Sequence, residues 1–120
     1  MSLVLFEIRD NIALLTLNNP DKRNMLTLEV CEMIVDYVDQ AEKHPDVKAL
    51  IVTGNGPTFC AGGQLSDITP DKLMLENIYS GFLCIAQYEL PTIAAVNGPA
   101  VGAGFNMAVG CDVRIVTDKA

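Results

Sequence analysis

Two stretches of this sequence strip the main chain of side chains where it could meet another molecule: GNGPTFCAGGQL at 54–65 and NGPAVGAG at 97–104. Glycine leaves peptide N–H groups unshielded and lets a ligand approach the backbone closely. In the second stretch Gly98, Gly102 and Gly104 lie between two apolar runs, PTIAAV and MAVGC. A nucleotide is the first ligand to test against this pattern. Gly102-Ala103-Gly104 is followed by Phe105, Asn106 and Met107, so the third glycine of G-x-G-x-x-G is missing, and no G-x-x-x-x-G-K-[ST] occurs. The alternative is that each loop offers one backbone N–H to a single oxygen, the second donor sitting at the positive end of a short helix that begins near Ala103. Two such donors form an oxyanion hole, each contributing roughly 3 kcal/mol where charge develops on a carbonyl oxygen, which suits enolate formation without a metal. For either loop taken alone, tight turns and close helix packing are the better account of its glycines.

Elements must hold these loops in place. Residues 3–8 and 12–17 read as two strands joined by a tight turn at Asp10-Asn11. NNPDKRN at 18–24 is turn chemistry, after which Thr27 caps a helix running to about residue 43, with Leu28, Cys31, Ile34, Val35, Val38 and Ala41 at helical spacing. VKALIVT at 47–53, bounded by Pro45 and Gly54, has the pattern of a strand covered on both faces. A second helix is expected over 71–88, with Met74, Ile78, Phe82 and Ile85 on one stripe and Pro91 stopping it. Then come a buried strand at 92–96, a short helix at 105–109 and a strand at 113–117. Strands alternating with helices define an α/β fold, and both glycine loops follow the carboxyl end of a strand, where such folds bind ligands.

Composition removes several function classes. The 120 residues are 50% apolar and 19% charged, as expected for one globular domain. A mean hydropathy of +0.29 is high for so small a domain and hints at missing partner surface. The net charge of −7 and the scattering of eight Lys and Arg argue against nucleic acid. The N-terminus lacks a basic region and soon reaches Glu7, Arg9 and Asp10, so neither a signal peptide nor a membrane span is expected, and a cytoplasmic protein is the default. Cys31, Cys60, Cys84 and Cys111 form no C-x-x-C pair, which suggests buried reduced thiols and no metal. The one histidine, His44, sits in a charged turn, so hydrolase chemistry lacks its base.

The loops and their flanks together carry a resemblance. NNPDKRNML, LIVTGNGPTFCAGGQL and PTIAAVNGPAVGAGFNMAVGCDVRI resemble the crotonase (enoyl-CoA hydratase/isomerase) superfamily along the whole chain: a turn before a helix, an F-x-A-G loop after one strand and an N-G-x-x-x-G-x-G turn after the next. The resemblance implies a crotonase-like spiral of ββα units, with residues 1–120 as the N-terminal part of a single acyl-CoA-binding domain and its C-terminal helical region absent. It implies an acyl-CoA thioester substrate, coenzyme A entering as part of that substrate, and no separate cofactor. The N–H groups of Gly63 and Ala103 would polarise the thioester carbonyl. The turn and the CAGGQL loop would hold the CoA nucleotide through Arg23, Asn24, Met25, Ala61, Gln64 and Leu65. A homotrimer or dimer of trimers in fatty acid metabolism is the corresponding assembly and setting.

Three positions depart from the family pattern. Met25 stands where Ala is common and Gln64 where Asp is common; backbone contacts survive both changes. Asn106 occupies the place of the first of two catalytic glutamates of the hydratases, and an amide neither takes nor gives a proton near neutral pH. By the same resemblance, the second glutamate would belong to a segment beginning just after residue 120. Among the remaining carboxylates, Asp112 reads as a structural cap or pair, and Asp67 and Asp71 as exposed residues at a helix start. The departure at 106 tilts the chemistry from two-carboxylate hydration toward one-base reactions such as double-bond migration. A non-catalytic acyl-CoA binder, and an interaction module using the apolar excess, are the other two readings.

Overall fold

The computed structural model describes residues 2–63 and 72–120, with main chain alone at 72–75 and 77. Val4–Arg9 (β1) and Ile12–Leu17 (β2) pair antiparallel, from Val4 opposite Leu17 to Arg9 opposite Ile12. The intervening Asp10 and Asn11 have φ of 51° and 67°, the left-handed pair that fits a two-residue hairpin to the strand twist. Asp and Asn tolerate that region better than bulkier side chains do. Helix α1, Leu28–Lys43, starts where Thr27 Oγ1 accepts the Val30 N–H at 3.2 Å. It buries Cys31, Ile34, Val38 and Ala41 of the expected stripe and Val30 in addition, whereas Val35 is half-buried and Leu28, at the first position of the helix, is 44% exposed.

The remaining elements are β3 (Ala49–Gly54), α2 (Lys72–Ala86), β4 (Thr92–Val96), α3 (Ala103–Gly110) and β5 (Val113–Val116). The five strands form one sheet in the order β1-β2-β3-β4-β5, parallel from β2 onward. This is the α/β alternation expected from the sequence, with a helix in each later crossover.

Several boundaries move. β3 opens at Ala49, because the Val47 N–H closes the exit turn of α1 on the His44 carbonyl at 3.3 Å. Helix α2 ends at Ala86, well before Pro91: the Gln87 and Tyr88 N–H groups turn back onto the carbonyls of Leu83 and Ile85 at 2.9 and 3.2 Å. Pro91 instead lends its carbonyl to the Leu50 N–H at 3.0 Å, at the start of the β3–β4 ladder. Helix α3 begins at Ala103, where the oxyanion-hole reading has it and two residues ahead of the 105–109 range, since the Gly104 and Asn106 N–H groups already bond to the carbonyls of Val101 and Gly102. β5 stops at Val116, one residue short of the expectation.

The expectation that β3 is covered on both faces is corrected. Leu50 and Val52 are buried with Leu15, Ala94 and the apolar stripes of the helices in one core, whereas Ala49, Ile51 and Thr53 on the other face are only half-buried. A continuous apolar run therefore hid an alternation. β5 is exposed throughout, Ile115 to 64%. Asp112 is structural, as its position suggested: its Oδ2 accepts the Thr92 N–H at 3.0 Å and the Thr92 hydroxyl at 3.3 Å, and Thr92 Oγ1 accepts the Asp112 N–H at 2.9 Å. The pair clamps the first turn of the β4–β5 ladder.

All four thiols are free, three of them buried. Burial, reinforced by the neighbouring Cys60, Cys84 and Glu32, pushes Cys31 from an ordinary 9.0 up to about 12. Burial alone is enough to raise Cys60 and Cys84 to about 11. Such thiols are inert as nucleophiles near neutral pH. An unfolded chain releases these protons from about pH 9 while the folded one retains them, so stability should be level below that point and fall as pH rises toward 11. Urea midpoints measured between neutral pH and pH 11 check this, and a level profile through pH 11 would contradict it.

Candidate active site

Because β2, β3 and β4 are parallel, the segments that follow them gather at one edge of the sheet. There they lie side by side. The Ala61 N–H donates to the Arg23 carbonyl at 2.9 Å and the Leu26 N–H to the Gly62 carbonyl at 2.7 Å. On the other flank, the Phe59 and Cys60 N–H groups reach the Pro99 carbonyl at 3.1 and 3.3 Å, and the Val101 N–H reaches the Cys60 carbonyl at 3.0 Å. Two asparagines pin the same layer. Asn97 Oδ1 accepts the Gly54 N–H at 3.2 Å, and its Nδ2 donates to the carbonyls of Gly56 and Thr58 at 2.9 and 3.2 Å. Asn24, 2% exposed, accepts the Asn19 N–H and donates to the carbonyls of Asn55 and Thr58.

Two glycines are dictated by this lacing. At Gly62, φ is +100° and a Cβ would stand 2.9 Å from the Val101 carbonyl oxygen and 3.6 Å from the Ala103 nitrogen. At Gly104 a Cβ would collide with the Cys60 carbonyl. Close packing of loop on helix thus explains part of the glycine content, and it also sets the residue after Gly62 beside the start of α3.

The peptide planes then decide which N–H groups are left over. In a trans peptide the carbonyl of one residue and the N–H of the next point in opposite directions. The Gly62 carbonyl faces Leu26, so the Gly63 N–H faces away from that segment; the Gly102 carbonyl accepts from Asn106 along α3, so the Ala103 N–H points out of the helix start. Neither N–H has a hydrogen-bond partner among the described residues. Both residues line a cleft of about 360 Å³ together with Ala61, Gly62, Gly102 and Asn106, and α2 closes the facing side with Ile78, Tyr79 and Phe82. Ile78 lies directly over the loop, its Cδ1 only 3.0 Å from where a Cβ on Gly63 would be. Two unpaired donors beside an apolar wall can take an oxygen that carries negative charge while the group attached to it leaves water.

Of the residues singled out in the sequence, Gly63, Ala103, Asn106 and Ala61 line this cleft. Arg23, Asn24 and Met25 do not line it but run alongside, joined through Arg23 and Leu26 to Ala61 and Gly62. Arg23 is exposed and Met25 half-buried, while the Asn24 side chain is turned into the fold. Gln64, Leu65, Asp67 and Asp71 lie outside the described residues, as does the Met74 side chain. Tyr79 escaped the sequence reading because it falls one residue off the apolar stripe; its i,i+3 relation to Phe82 was the available signal. Ile78 and Phe82 were recognised as core, and they serve the cleft as well. Among the described residues no Asp, Glu, His or Lys lines the cleft, no group of three or more His, Cys, Asp or Glu converges on a metal position, and no helix is long and apolar enough to cross a membrane.

Comparison with known proteins shows the family and the fold. The sequence model of the enoyl-CoA hydratase/isomerase family matches residues 7–120. The probable enoyl-CoA hydratase EchA14 of Mycobacterium tuberculosis is 45% identical over 117 residues, covering 93% of this chain and 46% of the relative. Hydroxycinnamoyl-CoA hydratase-lyase of Pseudomonas fluorescens is 33% identical over 124 residues, covering 95% of this chain and 45% of its own. An enoyl-CoA hydratase/isomerase from Xanthobacter autotrophicus Py2 superposes with a TM-score of 0.92 at 32% identity, over 99% of this chain and 47% of the other. The chain belongs to the enoyl-CoA hydratase/isomerase family and has the crotonase fold of its structural neighbours. It spans about half the length of the curated relatives it matches.

Proposed function

We propose that this chain supplies the anion-stabilising part of an acyl-CoA enzyme of enoyl-CoA hydratase or isomerase type. The thioester carbonyl oxygen is received by the N–H groups of Gly63 and Ala103, and the enolate formed on moving a proton at the adjacent carbon is stabilised there. One observation carries the reading: both N–H groups are unused by the described fold and both residues line the same cleft. The Ala103 donor also lies at the start of an eight-residue helix, whose dipole favours negative charge at that end. Each donor is worth roughly 3 kcal/mol in such a role. The CoA nucleotide lies along Arg23, Asn24 and Met25 and the loop from Ala61 through Gln64 and Leu65, and the apolar wall of α2 takes the acyl tail.

Proton transfer is assigned to a carboxylate following residue 120, since no Asp, Glu, His or Lys lines the cleft among the described residues. Asn106, one turn into α3, orients a water or a substrate group; with an amide there, a reaction needing a single base, such as double-bond migration, fits better than hydration by two carboxylates. The assembly is a homotrimer or dimer of trimers, working in the cytoplasm on fatty acyl thioesters. Full-length protein assayed against 2-enoyl- and 3-enoyl-CoA thioesters of several chain lengths should show saturable turnover. Asn106 also favours a second reading, a non-catalytic acyl-CoA binder: micromolar binding with no turnover at any chain length would select it, and no binding would remove both.

A further inference from the structure

We infer that Tyr79 sets acyl selectivity, favouring a flat, conjugated or aryl acyl group over a puckered saturated one of the same size; this rests on the reading of the cleft as an acyl-thioester site. The described walls are of two kinds. One side is main chain and methyl groups, from Ala61 to Gly63 and at Gly102 and Ala103, with Asn106 the one larger side chain among its described residues. The other is α2, where Ile78 and Phe82 are buried and committed to the core. Tyr79 differs from both: it is 53% exposed, and its hydroxyl makes no hydrogen bond among the described residues.

The Tyr79 ring is nevertheless held. It meets the Phe82 ring edge-on, with centroids 5.3 Å apart and planes at 61°. An aromatic ring fixed on one side by a buried partner and open over half its surface is a preformed stacking platform beside the cleft. A conjugated tail leaves the thioester carbonyl in the carbonyl plane and stays flat, so it can lie between the backbone wall and the ring. A saturated ring of equal size is thicker and has no π face; it gains the burial of apolar area but not the offset or edge-to-face contact. The cleft volume of about 360 Å³ lies within the range of small-molecule sites, so capacity alone does not separate two rings of equal size.

Benzoyl-CoA and cyclohexanecarbonyl-CoA are matched in size, differ in planarity, and carry no alkene for the enzyme to hydrate or move. Calorimetric titration of full-length protein with each should give a preference for benzoyl-CoA of about 3- to 10-fold. Tyr79→Phe keeps the ring and should keep the preference; Tyr79→Leu and Tyr79→Ala should reduce it to within about twofold while the cyclohexanecarbonyl affinity changes less. The half-exposed position and the helix propensity of Leu let Tyr79→Leu report even where Tyr79→Ala folds poorly. Equal affinities in the unaltered protein, or a preference that survives Tyr79→Leu, would overturn the role of Tyr79 alone. Binding of a 2-enoyl-CoA but of neither cyclic thioester would likewise overturn the role of Tyr79 alone, and failure to bind any of the three would overturn the acyl-CoA reading beneath it as well.

Discussion

Replacing Ala103 with proline should lower turnover of enoyl-CoA by about 10²–10³-fold, the range seen when one preorganised donor is lost, with little effect on stability. The substitution removes a single hydrogen-bond donor and puts the ring Cδ in its place. Ala103 is the first residue of α3, a position where proline is favoured because its missing N–H has no helical partner to lose. The preceding residue, which proline usually restricts, is Gly102 at φ 57° and ψ −123°. That is the mirror image of the extended region favoured before proline, and glycine, having no Cβ, occupies it freely. Since the Ala103 N–H bonds to nothing in the described fold, its removal leaves no internal acceptor orphaned. Ala103→Ser keeps the N–H and should retain most of the activity, separating the donor from the side chain. Steady-state kinetics and a thermal melt of full-length protein measure both halves. A proline variant that folds and turns over normally would show that the second donor lies elsewhere.

Elements were legible in this sequence wherever one local signal dominated. The Asp10-Asn11 turn and the Thr27 cap each rest on a single residue type in a single conformation, and both are found where the sequence puts them. Ends decided by tertiary bonds were not legible. Nothing local says that the Pro91 carbonyl serves Leu50, or that the Val47 N–H closes the exit of α1, so α2 was drawn too long and β3 too early. The burial of β3 was misjudged for a related reason: Ala49, Ile51 and Thr53 look as apolar as a fully buried strand needs, yet the face they occupy is half open. At the site, motif spacing marked the backbone donors because glycine patterns are read from sequence directly. Tyr79 is not marked by the sequence, because its place depends on how α2 is rotated over the glycine loop, and α2 is seated by its packing on α1 and α3, where Gly81 lies against Cys31 and Ala86 against Gly110. Asn24 was nominated from the resemblance as a ligand contact; its buried side chain has a structural task that the sequence did not disclose.

That task gives the largest expected effect on stability. Asn24→Ala should cost about 2–3 kcal/mol, from two separable sources. The first is polar. Asn24 Oδ1 accepts the Asn19 N–H at 2.7 Å, and Nδ2 donates to the carbonyls of Asn55 and Thr58 at 3.0 and 2.9 Å. Thr58 retains the amide of Asn97, so the variant strands the Asn19 N–H and the Asn55 carbonyl, at about 1–2 kcal/mol together in a part-buried setting. The second is conformational: Asn24 has φ of 54°, a left-handed value that costs alanine about 1 kcal/mol more than asparagine. Asn24→Gly removes the side chain but not the freedom, so it should recover about that last 1 kcal/mol. Asn24→Asp keeps the acceptor for Asn19 but points carboxylate oxygen at two carbonyls, and should be at least as damaging as Ala. Urea unfolding of the three variants measures the series, and an alanine variant within 0.5 kcal/mol of the parent, the scatter of ordinary surface substitutions, would refute the assignment. The consequence reaches the cleft, because the turn that Asn24 anchors also supplies the Leu26 N–H that holds the Gly62 carbonyl, and it is that bond which aims the next peptide N–H, on Gly63, away from the fold.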